Sequence, residues 1–180
     1  MGEVTLKDLI FLDEAGSNLA MTRRYARSEK GKRAYSQAPG KRGKNVTLIG
    51  ALSWAKGFIA PMTWHGGTDG LTFRTYVEEA LVPTLWEGAC VVMDNFSSHH
   101  VEGIREAIEA VGAKLVYLPP SSPDFSPIEN GWSKIKAALR SQAARTYDSL
   151  NEAISNAIDE ICQNDIIGWF THCCYYGQNN

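Results

Sequence analysis

The sequence contains no long apolar segment. Its longest hydrophobic runs have four or five residues, as at 9–12 and 89–93, whereas a membrane-spanning helix needs about 20. The N-terminus has no basic stretch followed by an apolar one, so no secretory signal is visible. We therefore expect a cytoplasmic protein, and its 180 residues suffice for a single domain with its own core.

Cysteine is scarce, with four residues in the chain: Cys90, Cys162, Cys173 and Cys174. They show no C-x-x-C spacing, and the adjacent last two suit neither a zinc knuckle nor an ordinary disulfide. Free cysteine usually behaves as a small buried hydrophobe. We therefore expect four reduced thiols in the core, while His172 beside the last pair adds only a weak indication of metal binding.

Acidic side chains are nearly missing from residues 21–44, which we name the basic segment. It has nine basic residues and one acidic residue, Glu29, so its formal charge is +8, although the whole chain carries −2. Glycine and proline are frequent in it, which predicts a long loop with at most one short strand. The charge indicates a polyanionic partner, and a solvated loop is the alternative. Its basic residues are Arg23, Arg24, Arg27, Lys30, Lys32, Arg33, Lys41, Arg42 and Lys44.

The apolar pattern predicts an α/β fold. Continuous apolar runs at 9–12 and 89–93 are typical of strands covered on both faces, 114–118 predicts a third short strand, and 46–54 with 58–64 are typical of a hairpin. Helical spacing predicts a helix over 68–81 capped by Thr68, another over 101–111, a third beginning near Pro127, and a helical C-terminal segment at about 147–176. This order predicts one domain, residues 1–180, built on a mixed sheet with helices on its faces.

Two aspartates follow buried strands in the same way. Asp13 comes directly after the run at 9–12, and Asp94 comes directly after the run at 89–93. Open α/β sheets bind ligands at the carboxyl ends of their strands, so neighbouring parallel strands would bring the two carboxylates into one site. Such a pair repels itself unless it is protonated or bridged by a divalent cation, for which oxygen ligands favour Mg²⁺ or Mn²⁺. The alternative is that each aspartate only begins a turn.

A third acidic residue, Glu129, lies in a proline-rich stretch. Ser126 as the N-cap, Pro127 as the first helical residue and Glu129 three residues after the cap form the pattern of a capping box. This pattern explains Glu129 locally, without any chemistry. It does not explain the sequence around it.

Taken together, these motifs resemble the catalytic domain of the mariner-like superfamily of DDE transposases, in particular bacterial insertion-sequence transposases. The resemblance extends over residues 9–139, and 34 residues separate Asp94 from Glu129, as in that family. The most specific part is the string Leu-Pro-Pro, Ser-Pro-Asp, Pro-Ile-Glu-Asn and Trp within 118–132. The other matching pieces are Asp-Glu-Ala-Gly at 13–16, Met-Asp-Asn at 93–95 and His99-His100.

The resemblance implies a ribonuclease H-like fold, with an antiparallel meander followed by parallel strands. It also implies that Asp13, Asp94 and Glu129 bind two Mg²⁺ or Mn²⁺ ions per active site. Two metals about 4 Å apart clamp the attacking and leaving oxygens of an in-line phosphoryl displacement. The implied activity is DNA strand cleavage at transposon ends, followed by transfer of the freed 3′-hydroxyl into target DNA.

Further residues become candidates for contacts around these acids and with DNA. Asn95, His99 and Asn130 could support the acids or contact phosphates, although helix capping or surface roles explain them equally well. Lys134 and Lys136 follow Glu129 on its helix and could contact a phosphate backbone. The resemblance also favours DNA contacts from the basic segment, in particular from Arg23, Arg24, Arg27, Lys41, Arg42 and Lys44. We interpret Trp54, Trp64 and Trp132 as core residues.

Relatives in this family carry helix-turn-helix units before the first catalytic aspartate. Twelve residues precede Asp13 here, so we expect a separate or frameshift-fused subunit to read the element ends, as in a second-frame product. The partners implied are double-stranded DNA and a second copy of the chain, as a homodimer or larger assembly, with no membrane. Two other functions remain open: a catalytically inactive DNA-binding remnant, and a ribonuclease H-like nuclease acting on hybrid or branched nucleic acid.

Overall fold

Five strands form one mixed sheet in the computed structural model, which describes residues 4–175 and, for Ser97 and Ser98, only the backbone. The strands lie in the order β3-β2-β1-β4-β5. The pairs β1–β2 and β2–β3 are antiparallel, whereas β1–β4 and β4–β5 are parallel. The expected antiparallel meander followed by parallel strands is therefore confirmed. The strands are β1 Leu9–Ser17, β2 Val46–Ser53, β3 Gly57–His65, β4 Cys90–Met93 and β5 Lys114–Tyr117.

The helices follow the expected order, with changes at their ends. Helix α1 continues beyond its last residue as a π turn, Val77–Leu81, and a 3-10 turn, Val82–Thr84. Helices α4 and α5 form the expected C-terminal helical segment, whose last position, residue 176, lies outside the described residues. In the described part of the chain, no helix has the length and apolarity to cross a membrane. The helices are α1 Gly70–Tyr76, α2 Ile104–Ala110, α3 Pro127–Gln142, α4 Tyr147–Asp159 and α5 Gln163–His172.

Alternate residues of β1 face two separate cores. Phe11 and Ala15 pack with residues of α3, α4 and α5, whereas Ile10 and Leu12 pack with residues of α1, its continuation and α2. Successive strand side chains point to opposite sheet faces, so a strand buried on both faces reads as an unbroken apolar run. The expectation of helices on both faces is confirmed. Asp13 consequently lies on the α3 side of the sheet and Glu14 on the α1 side.

Three local predictions are wrong. Asp69, and not Thr68, caps α1: its carboxylate accepts a hydrogen bond from the Thr72 amide at 2.8 Å. The Thr68 hydroxyl is instead buried and has no partner among the described residues.

Cys90 and Cys173 are buried as expected, but Cys162 and Cys174 are exposed. Both exposed cysteines flank α5, where the chain leaves the core: Cys162 is the N-cap of α5 and Cys174 follows its C-cap.

The basic segment forms an irregular loop between β1 and β2, and its described residues contain no strand. Both of its ends are attached to the rest of the protein. Arg145 donates to the carbonyl oxygens of Leu19 and Met21 at 3.1 and 3.2 Å, and the Lys44 amide donates to the Tyr147 hydroxyl at 2.7 Å. The start of α4 and the turn before it therefore fix where the basic segment leaves and rejoins the sheet.

Candidate active site

Asp13 and Asp94 are brought together by the register of two parallel strands. Leu12 of β1 is paired with Met93 of β4, so the next residue of each strand is an aspartate at the same edge of the sheet. The predicted juxtaposition is therefore observed. The prediction that Asp13 follows the end of its strand is wrong, because β1 continues to Ser17 through its antiparallel pairing with β2. Asp13 is thus held rigidly within a strand, whereas Asp94 begins a loop.

Glu129 reaches the same region from the first turn of α3. The predicted capping box is wrong: Ser126 makes no side-chain cap, and its backbone N–H donates to the Pro123 carbonyl at 2.9 Å. The preceding 3-10 turn, Pro123–Phe125, provides that carbonyl and so satisfies the amide that the Glu129 carboxylate was expected to cap. The Glu129 side chain is exposed and lines the cavity described next.

All three acids line one cavity of about 310 Å³. Asp13 is partly buried, while Asp94 and Glu129 are exposed. The segment 118–123, which carries the Leu-Pro-Pro-Ser-Ser-Pro string, also lines this cavity. A second cavity, of about 280 Å³, lies on the other side of Glu129 and includes Asn130, His172 and Cys173. The predicted triad therefore surrounds a single open space, with Glu129 between two adjacent cavities.

The carboxylate of Asp13 lies in an environment poor in positive charge. Burial is the main cause that raises its pKa, and the neighbouring carboxylates of Glu129 and Asp94 raise it further, to about 7. Hydrogen bonds from the Glu14 backbone and the Trp132 side chain act in the opposite direction but do not compensate. A partly buried carboxylate beside two others is the arrangement that a bound cation relieves.

Trp132 fixes Asp13 from the α3 side of the sheet. Its indole Nε1 donates to Asp13 Oδ2 at 2.9 Å, while its ring is 1% exposed and packs on Phe58 with centroids 5.1 Å apart. Trp132 lies three residues after Glu129, so one face of α3 carries both a site acid and the group that holds another. The interpretation of Trp132 as a core residue is correct for its burial but missed this hydrogen bond.

His99 fixes Asp94 from the α1 side of the sheet. Its Nδ1 lies 2.6 Å from Asp94 Oδ1, and its ring stacks on Phe73 with centroids 4.2 Å apart. Burial alone lowers the pKa of His99, but the interactions with the carboxylates of Asp94 and Glu14 outweigh it and raise the pKa to about 9. The hydrogen bond from His99 is the main cause that lowers the pKa of Asp94. His99 therefore contacts the carboxylate of Asp94, and its supporting role stays a prediction.

The two candidate asparagines occupy different parts of the site. Asn95 lines the first cavity and its side-chain oxygen makes a short contact with Nε2 of His100. Asn130 lines the second cavity, and its amide donates to Cys173 Sγ at 3.8 Å.

Phe96, which is 62% exposed, lies at the edge of the first cavity and was not identified from the sequence. Its exposure next to the acids makes it accessible to a substrate.

The two lysines of α3 are placed differently. The Lys134 ammonium group lies 2.6 Å from Asp165 Oδ2 and donates to the Glu160 carbonyl at 3.2 Å, so it joins α3 to α5. Lys134 is thus already engaged within the protein, which competes with its predicted DNA contact. Lys136 makes no ion pair in the described part of the chain. Of these two lysines, only Lys136 therefore has an ammonium group free for a phosphate.

We expect Lys134→Met to lower the free energy of unfolding by about 0.5–1 kcal/mol at pH 7, because the side chains of Lys134 and Asp165 are 37% and 25% exposed and solvent screens their ion pair. Lys134 is the first cause that lowers the pKa of Asp165, to about 2. Because this folded-state pKa lies below the unfolded value, the stabilisation is complete above about pH 4 and disappears as pH falls through 2. Denaturant unfolding at pH 7 and pH 2 measures this, with Lys136→Met as control. An equal loss at both pH values would contradict the prediction.

The donor set of the site fits a hard divalent cation. Carboxylate oxygens are the ligands that Mg²⁺ and Mn²⁺ prefer, and three carboxylates line the first cavity. Within residues 4–175, no three His, Cys, Asp or Glu side chains lie close enough together to form a complete metal site. The acids therefore provide the ligand chemistry around an open cavity, and not a closed structural metal cage.

The five-stranded mixed sheet of this order is a ribonuclease H-like fold. Two acids lie where β1 and β4 meet and a third lies on α3, and all three line one acidic cavity. The chain belongs to the DDE superfamily endonucleases, whose family model matches residues 8–151. No curated protein sequence matches the chain significantly.

Solved structures of Mos1 transposase have the same fold. The pre-cleavage Mos1 transpososome is 18% identical with a TM-score of 0.74, and the match covers 97% of this chain and 57% of that chain. The Mos1 strand transfer complex is also 18% identical, with a TM-score of 0.72 and coverages of 97% and 56%. The catalytic domain of Mos1 mariner transposase is 14% identical, with a TM-score of 0.66 and coverages of 93% and 79%. The chain thus spans just over half the length of the first of these chains.

Proposed function

We propose that this chain is the catalytic domain of a transposase, which cleaves DNA strands at transposon ends and joins them to target DNA. One observation carries the proposal: Asp13, Asp94 and Glu129 line a single cavity in a chain that belongs to the DDE superfamily endonucleases. The similar structures include Mos1 in a transpososome and in a strand transfer complex. The shared fold supports the same reaction sequence here.

In this proposal the three acids bind Mg²⁺ or Mn²⁺, with two ions per active site. Mos1 complexes have been solved with both metals. Such ions would polarise the scissile phosphate and lower the pKa of an attacking water. The chain's own residues supply geometry: β1 and Trp132 hold Asp13, His99 holds Asp94, and Glu129 of α3 lines the same cavity. In this proposal the three carboxylates are therefore oriented for metal binding before the substrate binds.

The reaction would proceed by two displacements at phosphorus in the same cavity. Water attacks the phosphodiester at the transposon end, and the 3′-oxygen leaves and takes up a proton. The freed 3′-hydroxyl then attacks a phosphodiester of the target, whose own 3′-oxygen leaves. Each displacement forms one P–O bond and breaks one, so no covalent enzyme intermediate is needed. The first cavity is open to solvent beside Asp94 and Phe96, which gives both DNA strands access.

We further propose that double-stranded DNA contacts the basic segment and Lys136, and that two or more copies of the chain act together on paired ends. The side chains of Arg24, Arg27, Lys41 and Lys44 are exposed, while Arg23 donates to the Ser141 hydroxyl of α3 at 2.8 Å. We also propose that a helix-turn-helix module, on a separate or frameshift-fused subunit, selects the transposon ends.

The proposal is tested by comparing four substrates with Mg²⁺ or Mn²⁺: duplexes carrying the element's terminal repeats, unrelated duplexes, RNA–DNA hybrids and branched DNA. We expect metal-dependent nicking of both kinds of duplex and joining of the product to a plasmid target, because selection of the terminal repeats is assigned to the helix-turn-helix module. Salt-sensitive DNA binding without any cleavage would identify an inactive remnant. Preferred cleavage of hybrids or branched DNA would identify a ribonuclease H-like nuclease and overturn the transposase assignment.

We expect a triple variant of the basic segment, Arg24→Gln, Arg27→Gln and Lys41→Gln, to weaken binding to any duplex. Removal of one phosphate-binding charge reduces the slope of log K against log salt by about 0.9, so the slope should fall by up to about 2.7. Fluorescence anisotropy at roughly 50 to 200 mM salt measures this slope. A control triple variant, Lys7→Gln, Lys56→Gln and Arg105→Gln, removes the same charge elsewhere. Equal slopes for the two triple variants would contradict the predicted contact.

A further inference from the structure

Glu14 has a buried carboxylate oxygen that the proposed mechanism does not use. It follows Asp13 in β1 and therefore points to the opposite face of the sheet, towards α1. Its Oε1 is buried without a hydrogen-bond partner among the described residues, and it lies 3.9 Å from Nε2 of His99. Because burying a carboxylate oxygen without a hydrogen-bond partner is costly, we expect such an oxygen to interact with a nearby polar group.

The group that Glu14 faces is held in one orientation. The His99 side chain is 3% exposed and its ring stacks on Phe73 at an interplanar angle of 27°. The backbone of His99 is fixed as well, since the Tyr117 hydroxyl donates to its carbonyl at 2.8 Å. The ring therefore has two polar directions: Nδ1 towards Asp94 at 2.6 Å, and Nε2 towards Glu14.

The orientation of the Asp94 carboxylate depends on a side chain, His99, because Asp94 has no strand pairing to hold it. Asp94 begins a loop, and its Oδ1 is held by His99 Nδ1 and by the Phe96 amide at 3.1 Å. Asp13, by contrast, lies within β1, where its backbone is paired with Gly50 of β2. The orientation of the imidazole therefore determines where the Asp94 carboxylate points. A group that holds Nε2 holds that carboxylate indirectly.

We propose that Glu14 is a positioning residue: its buried oxygen engages Nε2 of His99, and through that ring it orients the Asp94 carboxylate for metal binding. The inference rests on the proposed function, because it assigns Asp94 to the metal site. Glu14 and Asp13 are neighbours in β1, so the contact joins the strand that carries one acid to the loop that carries the other. One short segment of β1 then determines the relative positions of both aspartates.

The test measures Mn²⁺ binding to the full chain by titration calorimetry without DNA, and the His99 ring signals by NMR of the metal-free protein. Glu14→Gln keeps the side-chain shape and removes the charge. Removing a group that orients a metal ligand weakens affinity by about 10-fold or more, so we expect at least that change. Glu152→Gln, an exposed position on α4, is the matched control and should change affinity less than about twofold. Thermal unfolding of the metal-free variants should coincide with that of the parent protein.

A double variant shows whether Glu14 acts through His99. In a His99→Gln background, Glu14→Gln should cause no further loss of Mn²⁺ affinity, whereas a direct metal ligand would cause the same loss in both backgrounds and overturn the proposal. If His99→Gln does not fold, the NMR measurement decides. Glu14→Gln and Glu14→Ala should both shift the His99 ring signals, and Glu152→Gln should not. Unchanged signals in both Glu14 variants would overturn the proposal.

Failure of this inference is distinguishable from failure of the proposed function. If the parent protein binds Mn²⁺ and nicks DNA but Glu14→Gln behaves like Glu152→Gln, the positioning role is wrong and the proposed function stands. If the parent protein neither binds Mn²⁺ nor nicks DNA, the proposed function fails, and the positioning role of Glu14 in metal binding fails with it. The His99 ring signals of the metal-free protein would in that case still show whether the Glu14–His99 contact exists.

Discussion

Asp94→Asn is expected to abolish metal-dependent nicking by this protein. The substitution keeps the shape of the side chain but replaces the proposed anionic metal ligand with a neutral amide beside His99. Metal coordination contributes several kcal/mol of transition-state charge stabilisation, and each 1.36 kcal/mol is a factor of ten in rate. We therefore expect a loss of about a thousandfold or more, measured as the nicking rate on a terminal-repeat duplex with saturating Mg²⁺.

Thermal unfolding with and without Mg²⁺ separates loss of the metal site from loss of the fold. A metal present at 100 times its Kd stabilises the folded parent protein by about 2.7 kcal/mol, and we expect Asp94→Asn to lose most of that gain. Asp159→Asn, which removes an exposed carboxylate at the end of α4, is the matched control and should keep both nicking and stabilisation by Mg²⁺. Nicking by Asp94→Asn at the parental rate would show that Asp94 is not part of the site.

Trp132→Ala is expected to cause a large loss of stability, and Trp132→Phe a smaller one with a marked loss of activity. The indole is 1% exposed and packs in the α3 core, so truncation to alanine should cost about 3–5 kcal/mol. Phenylalanine keeps much of the ring packing but removes the hydrogen bond to Asp13 Oδ2, which should cost about 1 kcal/mol. Asp13 then loses the side chain that orients it, so we expect nicking to fall roughly tenfold.

Denaturant unfolding and the nicking assay on the same preparations test this prediction. Trp169→Phe is the control, because Trp169 packs against the same core and makes no described contact with any of the three acids. It should lower stability by a comparable amount and leave nicking per folded molecule unchanged. If Trp132→Phe and Trp169→Phe have the same nicking rate, the hydrogen bond to Asp13 has no role in positioning.

Much of the sheet could be predicted from the sequence because its central strands are buried on both faces. The apolar runs before Asp13 and Asp94 predicted two such strands, and their parallel pairing at Leu12 and Met93 places the aspartates side by side. The length of β1 could not be predicted in this way. The residues of β1 after Asp13 are held by pairing with β2, which follows the basic segment in the sequence. Those residues do not form an apolar run, so the sequence pattern does not reveal them as part of the strand.

The local pattern at Glu129 gave a wrong structural interpretation. Ser126, Pro127 and Glu129 fit a capping box, but the Ser126 amide is already satisfied by the Pro123 carbonyl. A short-range pattern cannot show that competing hydrogen bond, because it depends on how the 3-10 turn before α3 folds. The longer string of motif residues over 118–132 was the better indicator. In the structure that string forms one wall of the cavity and brings Glu129 to its edge.

The sequence by itself determined the order of strands and helices, the two aspartates at matched strand positions and the family to which the chain belongs. The first two follow from periodicity and spacing, which a linear chain records directly, and the family follows from the resemblance carried by its motifs. Only the tertiary structure decided what holds the acids in place: Trp132 from α3 for Asp13, and His99 with Glu14 on the opposite face for Asp94. Those contacts join residues as far as 119 positions apart. Their distances depend on how helices pack on the two faces of the sheet, which no local pattern encodes.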